Sequence, residues 1–437
     1  MSWEIKILSD CCASIADGDH QAPPKADAGI PFVTIANINA TNQFDFSNTM
    51  FVPQEYYDRL DSKRKAQKDD ILYSVVGSFG IPVYMKDTIP FVFQRHIAIL
   101  RPNNAIFPRF LYYTMLSRDF YMMADAAALG AAQRTVSLTA LRNMKIAVPP
   151  LDVQKKIADV LAAYDDLIEN NQKQIKLLEE AAQRLYKEWF VDLRFPGYET
   201  TPITDGVPEG WRETTVGEYL TVRSGYAFKS GWWQSEGHPV VKIKNINNNT
   251  IAMVEADYVS PERTKAIPEF KLSKGDVVIA MTGATIGKVG LIPEVDNLYT
   301  NQRVGKVFPN ESIINPTPFV FCFYAQESVR EKIIALSSSS SAQPNISGKQ
   351  LESLEIVANT DLINLFCERT MPFFEKINSL RKQITLLAQA RDRLLPKLMN
   401  GEIEVQNEHR DHTSNYRNNS SDNRNDCSDR RNYTRNN

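Results

Sequence analysis

The chain has 437 residues and a formal net charge of −2, which allows two to four domains and excludes a polybasic nucleic-acid protein; any DNA-binding surface must be local. Its 43% apolar residues exclude wholesale disorder, and no apolar run approaches the roughly 18 residues of a membrane span. The N-terminus lacks the regions of a secretory signal, and the five cysteines form no CxxC pair. We therefore expect a reducing cytoplasm, with no disulfide framework and no zinc site.

Two copies of one sequence pattern, about 206 to 210 residues apart, span most of the chain. The matched segments are IPFVTIANINA (30–40) with HPVVKIKNINN (238–248), KDDILYSVVGSFG (68–80) with KGDVVIAMTGATIG (274–287), QRHIAILRPN (94–103) with QRVGKVFPN (302–310), and AAQRTVSLTALRNMKIAVP (131–149) with SAQPNISGKQLESLEIVAN (341–359). Short β-branched and aromatic runs bounded by Gly, Pro, Asn and Asp predict strands. We therefore predict a duplicated α+β domain, at residues 1–150 and 212–359.

Helices are predicted in the later part of each copy. Residues 107–128 and 316–336 have the periodicity of an amphipathic helix. After the first copy, residues 151–193 predict a much longer helix in which apolar residues recur at alternating spacings of four and three. These seam residues are Ile157, Leu161, Tyr164, Ile168, Ile175, Leu178, Leu185 and Trp189. Such a heptad seam is too narrow to be buried alone and needs a partner helix.

Residues 360–404 supply that partner in the same heptad register. Its seam residues are Phe373, Ile377, Leu380, Ile384, Leu387 and Leu394. Two long helices joined to two similar domains predict a pseudo-symmetric molecule held by an intramolecular coiled coil. Asn171 and Arg391 are polar at seam positions, where they either set the register of the two helices or lie in a solvated part of the seam. Because Pro372 and Pro396 lie within the second helix, the sequence does not determine the residues at which this helix begins and ends.

Two further segments have no helical or strand periodicity. Residues 194–211 are rich in Pro and Gly and predict a linker. Residues 405–437 consist mainly of Asn, Arg, Asp and Ser, which lack the apolar side chains needed for a core. We therefore predict that this C-terminal tail is disordered.

No motif of the sequence supports catalysis. The segment TGATIGKVG (282–290) resembles a phosphate-binding loop, but its spacing is one residue short and Val289 stands where Mg²⁺ binding needs Ser or Thr. Neither metal-ligand spacing nor a nucleophile elbow is present. We therefore predict no catalytic residue, no metal ligand and no enzymatic activity of the chain itself.

Each copy instead offers polar and basic residues beside its glycine-containing turns. Arg, Gln and Asn suit bidentate contacts to base edges, and Lys suits phosphates. The candidate DNA-binding residues are Gln94, Arg95, His96, Gln133 and Arg134 in the first copy, and Lys242, Lys244, Asn245, Lys288, Gln302, Arg303, Gln343 and Asn345 in the second. For any one of them a solvated surface side chain is the simpler interpretation. The prediction of DNA binding therefore rests on the recurrence of such residues in both copies.

Together, the paired strand segments and the run SLTALRNMKIAVPPLDVQKKIADVLAAYDDLIENNQKQIKLLEEAAQRL make residues 1 to about 404 resemble the specificity subunit of type I restriction-modification enzymes. The resemblance implies a prokaryotic, cytoplasmic subunit with two target-recognition domains joined by two antiparallel spacer helices. It also implies binding to double-stranded DNA, to two methylation subunits and, through them, to restriction subunits. S-adenosylmethionine, ATP and Mg²⁺ are then expected only in those partners.

Three functions remain open at this stage. In the first, each domain recognises one half of a bipartite DNA site, which is not palindromic because Arg134 and Thr135 stand where the other copy has Pro344 and Asn345. In the second, the chain is a coiled-coil scaffold that does not recognise DNA. In the third, which the missing motifs disfavour, it is an autonomous nuclease or methyltransferase.

Overall fold

The structure is a computed structural model that describes residues 3–39, 41–130, 133–247, 249–253, 256–337 and 344–405. The candidate Gln343 and the predicted disordered tail, apart from Val405, therefore lie outside the described residues. Across the described ranges, no helix combines the length and the apolarity needed to cross a membrane.

The first domain is built around a four-stranded sheet whose two central strands are largely buried. Its elements are β1 (Glu4–Ile7), β2 (Cys12–Asp17), β3 (Ile30–Val33), β4 (Met50–Val52), α1 (Gln54–Arg59), β5 (Ile71–Ser74), β6 (Pro82–Tyr84), β7 (Val92–Phe93), β8 (Ile97–Pro102), α2 (Pro108–Leu116), α3 (Arg118–Ala127), α4 (Leu138–Arg142) and β9 (Lys145–Val148). The antiparallel main sheet has the order β2-β8-β5-β6, and the second sheet has the order β4-β3-β7, with β3 and β7 parallel. Strand β1 pairs with β9, which brings the two ends of the domain together.

The first long helix, α5 (Leu151–Phe190), leads into a segment that is more ordered than predicted. The segment contains the hairpin of β10 (Ile203–Thr204) and β11 (Val207–Pro208). Asp205 and Gly206 form its turn with φ values of 52° and 82°, as a two-residue hairpin turn requires. Phe195 and Trp211, both buried, pack with ring centroids 4.7 Å apart. The predicted linker therefore contains a hairpin and a packed aromatic pair, which its lack of periodicity did not indicate.

The second domain repeats the architecture of the first. Its elements, with the second long helix, are β12 (Arg212–Thr215), β13 (Leu220–Ser224), β14 (His238–Val241), β15 (Ile246–Asn247), β16 (Thr250–Ile251), β17 (Asp257–Val259), α6 (Pro261–Thr264), β18 (Lys271–Leu272), β19 (Val277–Ala280), β20 (Val289–Leu291), β21 (Leu298–Thr300), β22 (Val304–Pro309), α7 (Thr317–Tyr324), α8 (Glu327–Leu336), α9 (Gly348–Glu352), β23 (Glu355–Ala358) and α10 (Thr360–Met399). The main sheet β13-β22-β19-β20 has the strand order of β2-β8-β5-β6. Strand β14 pairs antiparallel with β17 and parallel with β21, as β3 pairs with β4 and β7. The predicted duplicated α+β architecture is confirmed.

The two amphipathic helices predicted at residues 107–128 and 316–336 are each divided into two. In the first domain the break lies at Ser117, whose side chain accepts a hydrogen bond from the Phe120 amide and caps α3. In the second domain α7 ends at Tyr324, and Gln326 precedes α8 in an extended conformation. At Ser117 the capping side chain satisfies an amide that would be bonded internally in a continuous helix. A break of this kind leaves the apolar periodicity of the flanking residues unchanged, so periodicity alone did not locate it.

The long helices α5 and α10 pack against each other in antiparallel directions. Arg391 of α10 contacts Asp165 of α5 at 2.6 Å. Asn171 donates to Gln383 at 3.2 Å, and Arg381 contacts Glu179 at 2.9 Å. The residue numbers of the α10 partners therefore decrease as those of the α5 residues increase. Both polar seam residues, Asn171 and Arg391, bond to the opposite helix, which favours the register-setting interpretation over a solvated seam.

The seam is buried in its middle and at its two ends, and the ends belong to the domain cores. The predicted seam residues that are fully buried are Ile157, Leu161, Ile168, Trp189, Ile377 and Leu380. The remainder are half-buried: Tyr164, Ile175, Leu178, Leu185, Phe373, Ile384, Leu387 and Leu394. Ile157 and Leu161 join the core of the first domain with Leu398, whereas Trp189 joins that of the second with Phe366. The seam of α5 is therefore covered by α10 and, at its ends, by the cores of the two domains as well.

The ends of both helices differ slightly from those predicted. Helix α5 ends at Phe190 rather than at residue 193, and α10 ends at Met399 rather than at 404. Helix α10 continues through Pro372 and Pro396. Asn359 caps its first turn by accepting a hydrogen bond from the Leu362 amide.

Candidate nucleic-acid interface

Three turns of the first domain are joined at one side of its main sheet. The Val75 amide donates to the His96 carbonyl at 2.8 Å, and the Gly77 amide donates to the Arg134 carbonyl at 2.9 Å. The Arg95 amide donates to the Asp19 carbonyl at 3.0 Å. We call residues 75–80, 94–96 and 133–135 the first edge. Backbone bonds thus bring together all the candidates of the first domain, which are separated in sequence.

The second domain forms the same arrangement with the same backbone bonds. The Met281 amide donates to the Arg303 carbonyl and the Gly283 amide to the Pro344 carbonyl, each at 3.0 Å. The Gln302 amide donates to the Tyr226 carbonyl at 2.9 Å. We call residues 281–287, 302–303 and 344–345 the second edge. The two edges share a backbone scaffold and differ in the side chains that they present.

Arg134 is held in place at the first edge. Its guanidinium donates to the Asp125 carboxylate and carbonyl, the latter at 2.5 Å. It also lies 5.4 Å from the ring centroid of Phe79, which stacks on Tyr121 with an interplanar angle of 12°. A guanidinium fixed by an aromatic face and a carboxylate loses less side-chain freedom when it forms a bidentate contact.

The other first-edge candidates suit polar contacts of several kinds. Arg95 and Gln133 are exposed, and Gln94 and His96 are half-buried. Burial, and then the neighbouring Arg95, lower the pKa of His96 below its ordinary value of 6.5. The imidazole is therefore neutral at physiological pH and has one donor and one acceptor nitrogen. Such a mixture of donors and acceptors matches the edges of base pairs in the major groove.

At the second edge Gln302, Arg303 and Asn345 are exposed. Within the described residues, Arg303 forms no salt bridge, so its guanidinium keeps its donors available. Gln302 and Asn345 carry amides that can bond bidentately to adenine. Gln343, the remaining candidate of this loop, lies outside the described residues.

Neither Asn245 nor Lys288 of the second domain presents its side chain at the second edge. Asn245 is 2% exposed, and its amide is already bonded to the Lys242 backbone amide and the Ala252 carbonyl. The structure therefore does not place Asn245 where DNA could reach it, because its amide serves the fold. Lys288 is half-buried in a cleft that is lined by α5 and by residues of both domains. Its position faces the space between the domains rather than the edge.

Lys242 and Lys244 lie beside the second edge. Both ammonium groups are 3.0 Å from one oxygen of Asp257. Lys242 also lies 3.4 Å from the ring centroid of Trp233. The two lysines share one carboxylate, so Lys242, Lys244 and Asp257 together retain a net positive charge.

Several residues near the edges were missed from the sequence. They are the aromatic side chains Phe79 and Tyr121 in the first domain, and Trp232, Trp233, Lys229 and Arg263 in the second. The adjacent pair Trp232-Trp233, between Gly231 and Gln234, was an available signal because such aromatic pairs are unusual in a polar loop. Among the residues that the structure describes, no group of three His, Cys, Asp or Glu side chains is placed to hold a metal ion.

The sequence matches a known protein family over most of its length. A family model described as the type I restriction modification DNA specificity domain matches residues 2–180 and 208–357. The chain is similar to the type I restriction enzyme MjaIX specificity subunit of Methanocaldococcus jannaschii, with 25% identity over 416 residues that cover 92% of this chain and 94% of the relative. It is also similar to the HindI specificity subunit of Haemophilus influenzae, with 22% identity over 453 residues that cover 85% of this chain and 95% of the relative.

A solved structure shows the same fold. The S subunit of a type I restriction-modification system from M. genitalium superposes with a TM-score of 0.52 and 18% sequence identity, over 91% of this chain and 96% of that chain. The matched segments contain both edges and most of α5. The chain belongs to the family of type I restriction-modification DNA specificity subunits.

Proposed function

We propose that each domain recognises one half of a bipartite, asymmetric DNA sequence through its edge. The observation that carries this proposal is the repeated three-turn edge, which has equivalent backbone hydrogen bonds in both domains but different side chains. Arg134 at the first edge has Pro344 as its counterpart at the second, so the two halves of the site differ. The backbone arrangement positions the contacts, and the side chains specify the bases.

The long helices act as the spacer between the two half-sites. Each has 40 residues and is therefore about 60 Å long at about 1.5 Å per residue. Their ends are anchored in the two domain cores, so neither domain moves freely along the spacer. Because one turn of DNA measures about 34–36 Å, a rigid spacer of this size imposes a fixed gap between the half-sites.

The partners of the chain are two methylation subunits and, through them, restriction subunits. The middle of the spacer leaves Leu177 63% exposed and Leu386 56% exposed, which supports binding of another protein there. The chain performs no bond-making step, and directs N6-adenine methylation or DNA cleavage by its partners. Those partners carry S-adenosylmethionine, ATP and Mg²⁺.

Selection from a randomised duplex library tests this proposal. The full chain, assembled with its methylation subunit, is incubated with the library, and bound duplexes are sequenced. We expect one enriched bipartite sequence with a fixed gap, and weak competition by unrelated DNA. An assembled complex that enriches no sequence would favour the coiled-coil scaffold instead.

A further inference from the structure

Equivalent hydrogen bonds align a lysine pair of the second domain with uncharged residues of the first. The Lys242 amide donates to the Asn245 side chain at 2.9 Å, and the Thr34 amide donates to the Asn37 side chain at 2.9 Å. Thr34 and Ala36 of the first domain therefore occupy the positions of Lys242 and Lys244. The two domains differ by two positive charges at this point.

The second domain adds two further cations on an aromatic platform formed by Trp232 and Trp233. The Arg263 guanidinium lies 4.6 Å from the Trp232 ring centroid, and the Lys229 ammonium lies 5.6 Å from it. The Lys242 ammonium lies over the face of the Trp233 ring. Both indole rings are half-buried, so they orient the cations and leave them accessible to solvent.

This group of cations is continuous with the second edge. Trp232 stacks on Tyr226, with ring centroids 6.1 Å apart and an interplanar angle of 11°. The Tyr226 carbonyl accepts the hydrogen bond of the Gln302 amide, and the Val241 carbonyl accepts that of Asn301 at 3.0 Å. Any duplex that contacts Gln302 and Arg303 therefore passes close to the platform.

The corresponding surface of the first domain has a different charge. The backbone bridges of the two domains place Asp19 where the second domain has Tyr226. The Asp19 carboxylate accepts a hydrogen bond from Tyr56, and the nearby Asp17 contacts Arg64 at 3.6 Å. In this part of the first domain the carboxylates are thus paired with its own side chains, and Asp19 stands in place of the uncharged Tyr226.

We propose that Lys229, Lys242, Lys244 and Arg263 form a phosphate-binding patch by which the second domain binds the DNA backbone beside its half-site, and that the first domain lacks the two charges that Lys242 and Lys244 supply. This inference rests on the proposed DNA-recognition function. Among the described residues, Asp257 is the one carboxylate that forms a salt bridge with any of these four cations, so the patch keeps a positive surplus. The phosphate contacts are independent of base sequence and add affinity and salt dependence.

The salt dependence of binding tests the patch. The full chain with its methylation subunit is titrated with a duplex containing the selected site, and the logarithm of the association constant is plotted against that of the KCl concentration. The substitutions Lys242→Thr and Lys244→Ala install the residues of the first domain. The slope is negative, and each lost phosphate contact makes it less negative by about 0.9, so the double variant should reduce its magnitude by about 1.8 without changing the selected sequence.

A matched control removes two lysines of the same domain away from the patch. Lys274 lies 3.6 Å from Glu294, which also contacts Lys382 of α10, and Lys332 lies beside Glu213 and Val357. The variant Lys274→Thr with Lys332→Ala should keep the slope of the wild type. The reciprocal variant Thr34→Lys with Ala36→Lys should make the slope more negative, and it leaves the native contacts of Lys242 intact.

Two outcomes separate the inference from the proposed function. If the wild type selects a bipartite sequence and the Lys242→Thr, Lys244→Ala variant keeps the slope of the control, the patch is refuted and the proposed function stands. If the wild type binds no duplex, both are refuted. A less negative slope of the Lys242→Thr, Lys244→Ala variant, with an unchanged selected sequence, supports both the patch and the proposed function.

Discussion

Asp165 of α5 is the residue at which we expect one substitution to loosen the first domain from the spacer. Its carboxylate accepts a hydrogen bond from the Tyr113 hydroxyl of α2 at 2.6 Å, and contacts Arg391 of α10 at 2.6 Å. Burial, followed by the charge of Asp165, raises the pKa of Tyr113 above its ordinary value, so the phenol stays protonated and donates. One carboxylate therefore connects the domain with both long helices.

The cost of Asp165→Ala follows from the exposure of its partners. The Asp165 and Arg391 side chains are each 20% exposed, which lies between a fully buried and a surface pair. Removing one partner of a buried pair costs about 3–5 kcal/mol, whereas an exposed pair contributes below about 1 kcal/mol. Arg391 keeps a contact to Asp392 at 2.7 Å, but Tyr113 loses its acceptor in a buried site. We therefore expect a loss of about 2–3 kcal/mol.

Urea unfolding of the full chain, followed by far-ultraviolet circular dichroism, measures this loss. The control is Asp152→Ala on the same helix, where an exposed carboxylate lies 3.8 Å from Lys156 and contributes below about 0.5 kcal/mol. The double variant Asp165→Ala, Arg391→Met should cost less than the sum of the two single variants, because neither charge then remains without its partner. A cost of Asp165→Ala equal to that of Asp152→Ala would refute this account of the connection.

Three further predictions concern the spacer and the modular domains. Insertion of one heptad into α5 alone should change the gap between half-sites or prevent assembly, and a fully active complex with an unchanged site would count against the spacer function. Exchange of residues 1–150 for the first domain of a relative should change only one half of the recognised sequence, whereas a change in both halves would contradict modular recognition. Burial raises the pKa of Glu179 above its ordinary value of 4.5, against the opposing effects of Arg381 and Asn249. Folded Glu179 therefore binds its proton more tightly than the unfolded chain does, so the wild type should gain stability relative to Glu179→Gln as the pH falls towards 4.5; an unchanged difference in urea unfolding would refute the shift.

The duplicated fold and the long helices could be predicted because their signals are regular and long. Heptad spacing continues over most of residues 151–190, and the strand segments recur at an almost constant offset. Breaks and turns depend on single residues instead. Ser117 divides one predicted helix by capping the next, and the pair Asp205-Gly206 forms a hairpin turn in a segment that periodicity alone assigned to a linker.

The candidate interface was only partly predictable because exposure depends on tertiary contacts. Asn245 and Asn345 have the same side chain, yet the first is enclosed by its own backbone bonds and the second is exposed. Arg263, which lies over Trp232 of the aromatic platform, is distant in sequence and is brought there by the fold of the second domain. Residue type alone therefore selected turns that the fold brings together but could not separate structural amides from accessible ones.

Single-molecule methylome sequencing tests the central claim most directly. A host that carries this chain and its methylation subunit is compared with the same host after deletion of the chain. Our account predicts methyladenine in one bipartite, non-palindromic sequence whose two halves are separated by a fixed gap. An assembled complex that adds no methylated sequence, or that methylates a site without a fixed gap, would contradict it.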